Sequence, residues 1–168
     1  MHGLHLTADL RDCPAGRAVM TEPEALRATC LEAVCAAGLQ PVGELFHRFA
    51  AAPGAPVDAR DAPVGITGVV LLAESHLAVH TWPEIAAVTL DVYVCNLGTD
   101  NSARAHALLE SLIAAFAPAS IERHALQRGR ERAERWAKAT QGPLRGPAEP
   151  ARIPSGDRPT YSSAEGSS

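Results

Sequence analysis

His76 and His80 stand four residues apart, the spacing at which a helix offers two imidazoles to one metal ion. The segment that carries them does not have a helical pattern. In His76-Leu77-Ala78-Val79-His80-Thr81, Leu77 and Val79 point one way and the two histidines the other, as along a strand. At about 3.3 Å per residue a strand holds the histidines roughly 13 Å apart, too far for one ion to take both. No metal site is expected, and two histidines on a polar sheet face is the plainer account. The run Ala87 to Cys95 alternates in the same way. Val88, Leu90, Val92 and Val94 share one face, and Thr89, Asp91, Tyr93 and Cys95 share the other. Cys95 is therefore expected on the polar side, whereas a cysteine used for packing would more naturally join the valines.

The histidines belong to a longer stretch, Gly65-Ile66-Thr67-Gly68-Val69-Val70-Leu71-Leu72-Ala73-Glu74-Ser75-His76-Leu77-Ala78-Val79-His80-Thr81-Trp82-Pro83-Glu84. This stretch resembles the processing region of the prokaryotic S-adenosylmethionine decarboxylase family. Phe46-His47-Arg48-Phe49 upstream and Asp91-Val92-Tyr93-Val94-Cys95 downstream extend the resemblance, which covers roughly residues 4 to 128 in element order.

The resemblance implies a precursor that cuts itself between Glu74 and Ser75 and turns Ser75 into a pyruvoyl cofactor. Ser75 Oγ would attack the Glu74 carbonyl and move the acyl group from nitrogen to oxygen. β-Elimination of that ester would release a chain ending at Glu74 and leave a dehydroalanine, which hydrolyses to the pyruvoyl group with loss of ammonia. The family's roles map onto His80 as the acid/base of processing and onto Thr67 as the hydroxyl that supports the tetrahedral centre. The family commonly has serine at the position of Thr67. The pyruvoyl ketone would form a Schiff base with a substrate amine and act as an electron sink on loss of CO₂. Cys95 matches the residue that returns a proton, Glu84 the acid that holds ribose hydroxyls, and Phe49 the aromatic that stacks on adenine. The implied product is decarboxylated S-adenosylmethionine for spermidine synthesis.

Spacing adds a constraint of its own. Thr67 lies eight residues from Ser75, roughly 26 Å along a straight strand, and His80 lies five away on the other side, roughly 17 Å. Neither easily reaches Ser75 within one extended hairpin arm. A homodimer that brings Thr67, His80 and Glu84 of one chain to Ser75 and Cys95 of the other removes the difficulty, and two-fold symmetry then gives two sites. Dimeric precursors are also what the resemblance implies.

Two departures fall where substrate would bind. An Ala/Pro/Asp segment, residues 50–63, intervenes before the Gly-Ile-Thr run, and Ile85-Ala86-Ala87-Val88 replaces a Gly-Tyr-like segment after Glu84. The superfamily also contains arginine and ornithine decarboxylases, so a basic amino acid is a second substrate reading. A non-catalytic binding or regulatory subunit is a third.

The elements that must position these groups are legible from periodicity. His5 to Leu10 reads as a strand. Thr21 is expected to cap a helix with Pro23 in its first turn, running through Leu26, Cys30 and Val34 to a stop at Gly38. Leu39 to Phe49 reads as a strand anchored by Val42, Leu45 and Phe46. Gly65 to Ala73, nearly continuous in apolar residues, reads as a buried strand. His76 to Thr81 and Ala87 to Cys95 follow as strands, Asn101 to Phe116 as a helix and Ala119 to Leu126 as a last strand. Adjacent strands flanked by two helices predict an α/β two-layer sandwich, a mainly antiparallel sheet with both helices on one face. The expected domain is 1–130, with a mobile loop over 50–63 and a disordered Pro/Gly/Ser-rich tail over 139–168.

Composition bounds the rest. The chain has 168 residues, 46% of them hydrophobic and 4% aromatic, which suits one domain with an aliphatic core. A net charge of −4 argues against a nucleic-acid partner. No long apolar span or signal peptide is present, so no membrane association and a cytoplasmic location are expected. Cys13, Cys30, Cys35 and Cys95 form no C-x-x-C pair, and the first three read as small buried or half-buried apolar residues.

Overall fold

A computed structural model describes residues 2–49 and 64–129. The expected loop over 50–63 and tail over 139–168 lie outside the described residues. Six strands, β1 (Gly3–Arg11), β2 (Pro41–Arg48), β3 (Ile66–Leu72), β4 (Ser75–Trp82), β5 (Ala87–Cys95) and β6 (Ser120–Arg128), form one sheet. Their order is β2-β3-β4-β5-β1-β6, and every neighbouring pair is antiparallel. Helices α1 (Ala18–Thr21), α2 (Pro23–Ala36) and α3 (Ser102–Phe116) add the second layer. The α/β two-layer architecture is the one expected.

One face of the sheet makes the core. Leu4, Leu6, Ala8 and Leu10 of β1, Leu77 and Val79 of β4, and Val88, Leu90, Val92 and Val94 of β5 are buried, each set at the alternate positions of its strand. Leu26, Cys30, Ala33 and Val34 of α2 and Leu108, Leu112 and Phe116 of α3 close over them. These helical positions recur three and four residues apart, the single stripe that an amphipathic helix presents.

The start of the first long helix differs from expectation. Thr21 ends the short α1, and Glu22 holds the N-cap position of α2 with no side-chain cap bond. Pro23 does open α2, where its fixed φ and missing N–H cost nothing. The expected stop at Gly38 holds for a specific reason. Gly38 has φ +72°, its N–H donates to Cys35 O, and the Leu39 N–H donates to Val34 O. That pair of bonds is the Schellman closure, which favours glycine at its left-handed residue.

Three packing expectations are corrected. Cys35 is exposed because it falls one residue beyond the Leu26–Cys30–Val34 stripe of α2. Val42 and Leu45 are 60% and 68% exposed and anchor nothing in the core. Strand β2 lies at the sheet edge, its register shifts between Pro41 and Gly43, and only Phe46 packs inward, over Gly68. The apolar run in β3 is buried on one face only. Ile66, Gly68, Val70 and Leu72 are covered, whereas Val69 is half-buried and Leu71 exposed on the face turned away from the helices.

Candidate active site

Strands β3 and β4 form a hairpin in which Leu72 pairs with Ser75. Its two-residue turn is Ala73-Glu74, so the Glu74–Ser75 bond joins an exposed turn to the first residue of β4. Cys95, the last residue of the neighbouring β5, lies beside it. The Cys95 N–H donates to Ser75 Oγ at 3.1 Å. Cys95 is buried, yet it is not part of the contiguous aliphatic core, in keeping with its place on the Thr89-Asp91-Tyr93 face. Glu74, Ser75 and Cys95 open into a cleft of about 370 Å³, whose other walls include Leu39, Asn101 and Arg104. Those three residues carry no sequence motif that marks them.

A second cluster occupies the other end of the hairpin. Thr67 and His80 are directly paired across β3 and β4, and Thr67 Oγ1 lies 2.9 Å from His80 Nδ1. A threonine hydroxyl donates to this nitrogen or accepts from it, so it fixes the ring in either tautomer. The Trp82 indole stacks on the same imidazole with ring centroids 5.8 Å apart. Glu84 is exposed in a 3-10 turn, Pro83–Ile85, that follows directly. Phe49 reaches this end as well, its N–H donating to Gly65 O at 2.9 Å. Gly65 also lets the Thr81 backbone come close, because a Cβ there would meet Thr81 O at 1.8 Å, and Phe49 Cε2 at 3.1 Å. Thr81 itself is fully buried. It accepts from the Ile66 N–H and donates to Met20 O, tying α1 to the sheet beneath the cluster.

The chain thus brings Ser75, Glu74 and Cys95 together and gathers Thr67, His80, Glu84 and Phe49 toward the opposite end. It does not bring the two groups to each other. The 26 Å expected between Thr67 and Ser75 is corrected, because the turn at Ala73-Glu74 folds β4 back along β3. Thr67 therefore lies level with His80, five register positions from Ser75 and roughly 17 Å away.

The two histidines have different surroundings. His76 joins His5 and Tyr93 in a row of rings across β1, β5 and β4, with centroids 5.5 to 6.4 Å apart. His5 Nε2 meets Asp91 Oδ1 at 3.0 Å, and the Arg128 guanidinium lies 5.7 Å from the Tyr93 ring centre. Burial, then the nearby His5 and Arg128 charges, push the His76 pKa below the usual imidazole value against the opposing pull of Asp91.

Comparison with known proteins points to one family. Residues 4–129 match the family model described as S-adenosylmethionine decarboxylase. The S-adenosylmethionine decarboxylase proenzyme of Aquifex aeolicus is 33% identical over 127 residues, covering 76% of this chain and 81% of that one. The proenzyme of Archaeoglobus fulgidus is 30% identical over 127 residues, 76% of this chain and 97% of its own. The crystal structure of the adenosylmethionine decarboxylase from Aquifex aeolicus superposes with a TM-score of 0.64 at 31% identity, covering 79% of this chain and 94% of that one. Matched over residues 4–129 and at least 30% identical to these proenzymes, the chain belongs to the S-adenosylmethionine decarboxylase family.

Proposed function

We propose that this protein is made as a precursor, cuts its own Glu74–Ser75 bond, and then decarboxylates S-adenosylmethionine with a pyruvoyl group formed from Ser75. The observation that carries the reading is the Ser75–Cys95 pair. A serine at the end of an exposed turn has its hydroxyl fixed by a backbone N–H, with a thiol-bearing residue beside it at the mouth of a cleft.

Processing needs nothing that the chain lacks. Ser75 Oγ bonds to the Glu74 carbonyl carbon, the C–N bond breaks, and the hydroxyl proton passes to the freed amine. A base then removes the Ser75 α-proton and the Oγ–Cβ bond breaks, giving the Glu74 carboxylate and a dehydroalanine that water converts to pyruvoyl and ammonia. His80, with Nδ1 held by Thr67, presents Nε2 for these proton transfers. A pyruvoyl group formed at Ser75 would supply the carbonyl that holds a substrate amine and the electron sink for loss of CO₂. Cys95 is the proton donor to the substrate carbon, and Glu84 and Phe49 take the ribose and adenine.

The register places His80 roughly 17 Å from the Ser75 of its own chain. We therefore assign the working site to a homodimer in which Thr67, His80 and Glu84 of one copy face Ser75 and Cys95 of the other. The sheet face turned away from the helices suits such a contact. It carries Thr67 and His80 together with the exposed Leu45 and Leu71 and the half-buried Val69. An apolar patch on a strand face that no helix covers is the usual mark of an association surface.

Intact mass of the purified protein tests the processing reading. Two species are expected, residues 1–74 and a pyruvoyl-blocked 75–168, and a single uncut chain after long incubation overturns it. Release of CO₂ from S-adenosylmethionine, compared with arginine and ornithine, tests the substrate. No helix among the described residues is long and apolar enough to cross a membrane.

A further inference from the structure

Asn101 lies at the N-cap of α3, where asparagine is favoured because its side chain accepts a hydrogen bond from the first helical N–H groups. It makes no such bond. Asp100 accepts the Ser102 N–H in its place, at 2.9 Å. The Asn101 amide is turned instead toward the cleft that holds Ser75 and Cys95. Its Nδ2 donates to Cys95 O at 2.9 Å, and its Oδ1 accepts from Arg104 Nη1 at 3.0 Å. The partners fix the orientation of the amide, since a carbonyl oxygen can only accept and a guanidinium can only donate. The Asn101 N–H donates to Asn96 Oδ1 at 2.9 Å, and Asn96 Nδ2 donates to Ser102 Oγ at 3.0 Å. The Asn96 N–H is itself held by His2 O at 2.8 Å.

The consequence falls on Cys95. Its N–H is on Ser75 Oγ, and its C=O is on Asn101. The residue is thus gripped on both sides of its α-carbon at the point where β5 ends. Both the direction of the thiol and the reach of the N–H follow from that grip.

We infer that Asn101 is a positioning residue. Through Cys95 it keeps the Ser75 hydroxyl aimed for self-cleavage, an inference that rests on the processing reading above. The test uses the full-length chain made by cell-free synthesis, with appearance of the 1–74 fragment followed by intact mass across a pH series. Asn101→Ala is expected to slow cutting roughly tenfold, the factor to which loss of the hydrogen bond to Cys95 O corresponds. In an uncut Ser75→Ala background the same change leaves the melting temperature within a few degrees.

Asn101→Asp supplies a readout that a merely structural role does not move. Its carboxylate repels the Cys95 carbonyl at neutral pH. Once protonated, below the ordinary aspartate pKa of about 4, its O–H donates to that oxygen again. Its cutting rate, divided by the wild-type rate at the same pH, is expected to climb as pH falls, while the ratio for Asn101→Ala stays flat. Wild-type cutting by Asn101→Ala overturns the inference, and so do equal ratios for the two variants at every pH. A wild-type chain that never cuts defeats the processing reading itself, a result distinct from either of those.

Discussion

Thr67 Oγ1 and His80 Nδ1 lie 2.9 Å apart across two directly paired positions of the β3–β4 hairpin. The contact occupies one ring nitrogen and leaves Nε2 to exchange protons. Thr67→Val keeps the shape and removes the hydroxyl, so the ring loses its anchor without a change in packing. Self-cleavage of that variant is expected to slow about tenfold or more, whereas Thr67→Ser cuts at a near wild-type rate. The measurement is the time course of the 1–74 fragment. Equal rates for the valine and serine variants would show that the hydroxyl does not orient His80.

How far the sequence revealed this arrangement depended on whether a residue's role was local. The alternation in β4 and β5 placed Leu77 and Val79 inside and put Cys95 outside the aliphatic core, because a strand's period assigns faces without reference to anything else. The β3 run misled for the same reason. Continuous apolar residues read as burial on both faces, but one of those faces is left uncovered by this chain. The distance from Thr67 to Ser75 required the hairpin register, which pairs Thr67 with His80 and not with a residue near the turn. The sequence marks Asn101 only as the start of a helix. Its bond to the Cys95 carbonyl depends on a loop closure that residue types alone do not announce. Alternation marks Thr81 as one more strand residue, although its hydroxyl bridges α1 to β3.

His76 makes stability depend on pH. Its folded pKa is lowered by burial, by His5 and by Arg128, while Asp91 opposes the shift. The unfolded chain then binds more protons than the folded one below the ordinary histidine value of about 6.5. Stability from the neutral imidazole is therefore full above that pH and is lost as pH falls toward the folded pKa. His76→Gln removes this contribution, so its melting temperature should decline less steeply between about pH 7 and 5. Parallel curves for variant and wild type would place the pH dependence elsewhere.

The cysteines should differ sharply in reactivity toward an alkylating agent. Cys35 is exposed on α2, whereas Cys30 has no solvent exposure and burial pushes its thiol pKa up to about 12. Cys13 is buried as well, and burial together with the Asp12 charge raises its pKa. Because the thiolate is the reactive form, Cys35 is expected to take up iodoacetamide first and Cys30 and Cys13 only after denaturation. Peptide mapping after a brief exposure of the native chain reads this directly. Early labelling of Cys30 would contradict the packing of α2 against the sheet.

The separation between His80 and Ser75 leads to the most direct test of the dimer. A chain carrying Ser75→Ala keeps Thr67 and His80 but lacks the hydroxyl that attacks the Glu74 carbonyl. A chain carrying His80→Ala keeps Ser75 and Cys95 but lacks the acid/base. Each alone should remain whole. Co-expressed with different tags, the two form mixed pairs in which His80 of the first chain faces Ser75 of the second. In such pairs the His80→Ala chain should be cut, and the Ser75→Ala chain never. With equal expression and random pairing, up to about half of the His80→Ala chains are in mixed pairs, which bounds the yield. If tandem purification recovers mixed pairs in which the His80→Ala chain is still whole, the site does not cross between copies, and His80 must reach its own Ser75 by a rearrangement of the hairpin. If the His80→Ala chain cuts without any partner carrying His80, the acid/base role falls instead. A shared site predicts rescue in the mixture and none in the separate chains.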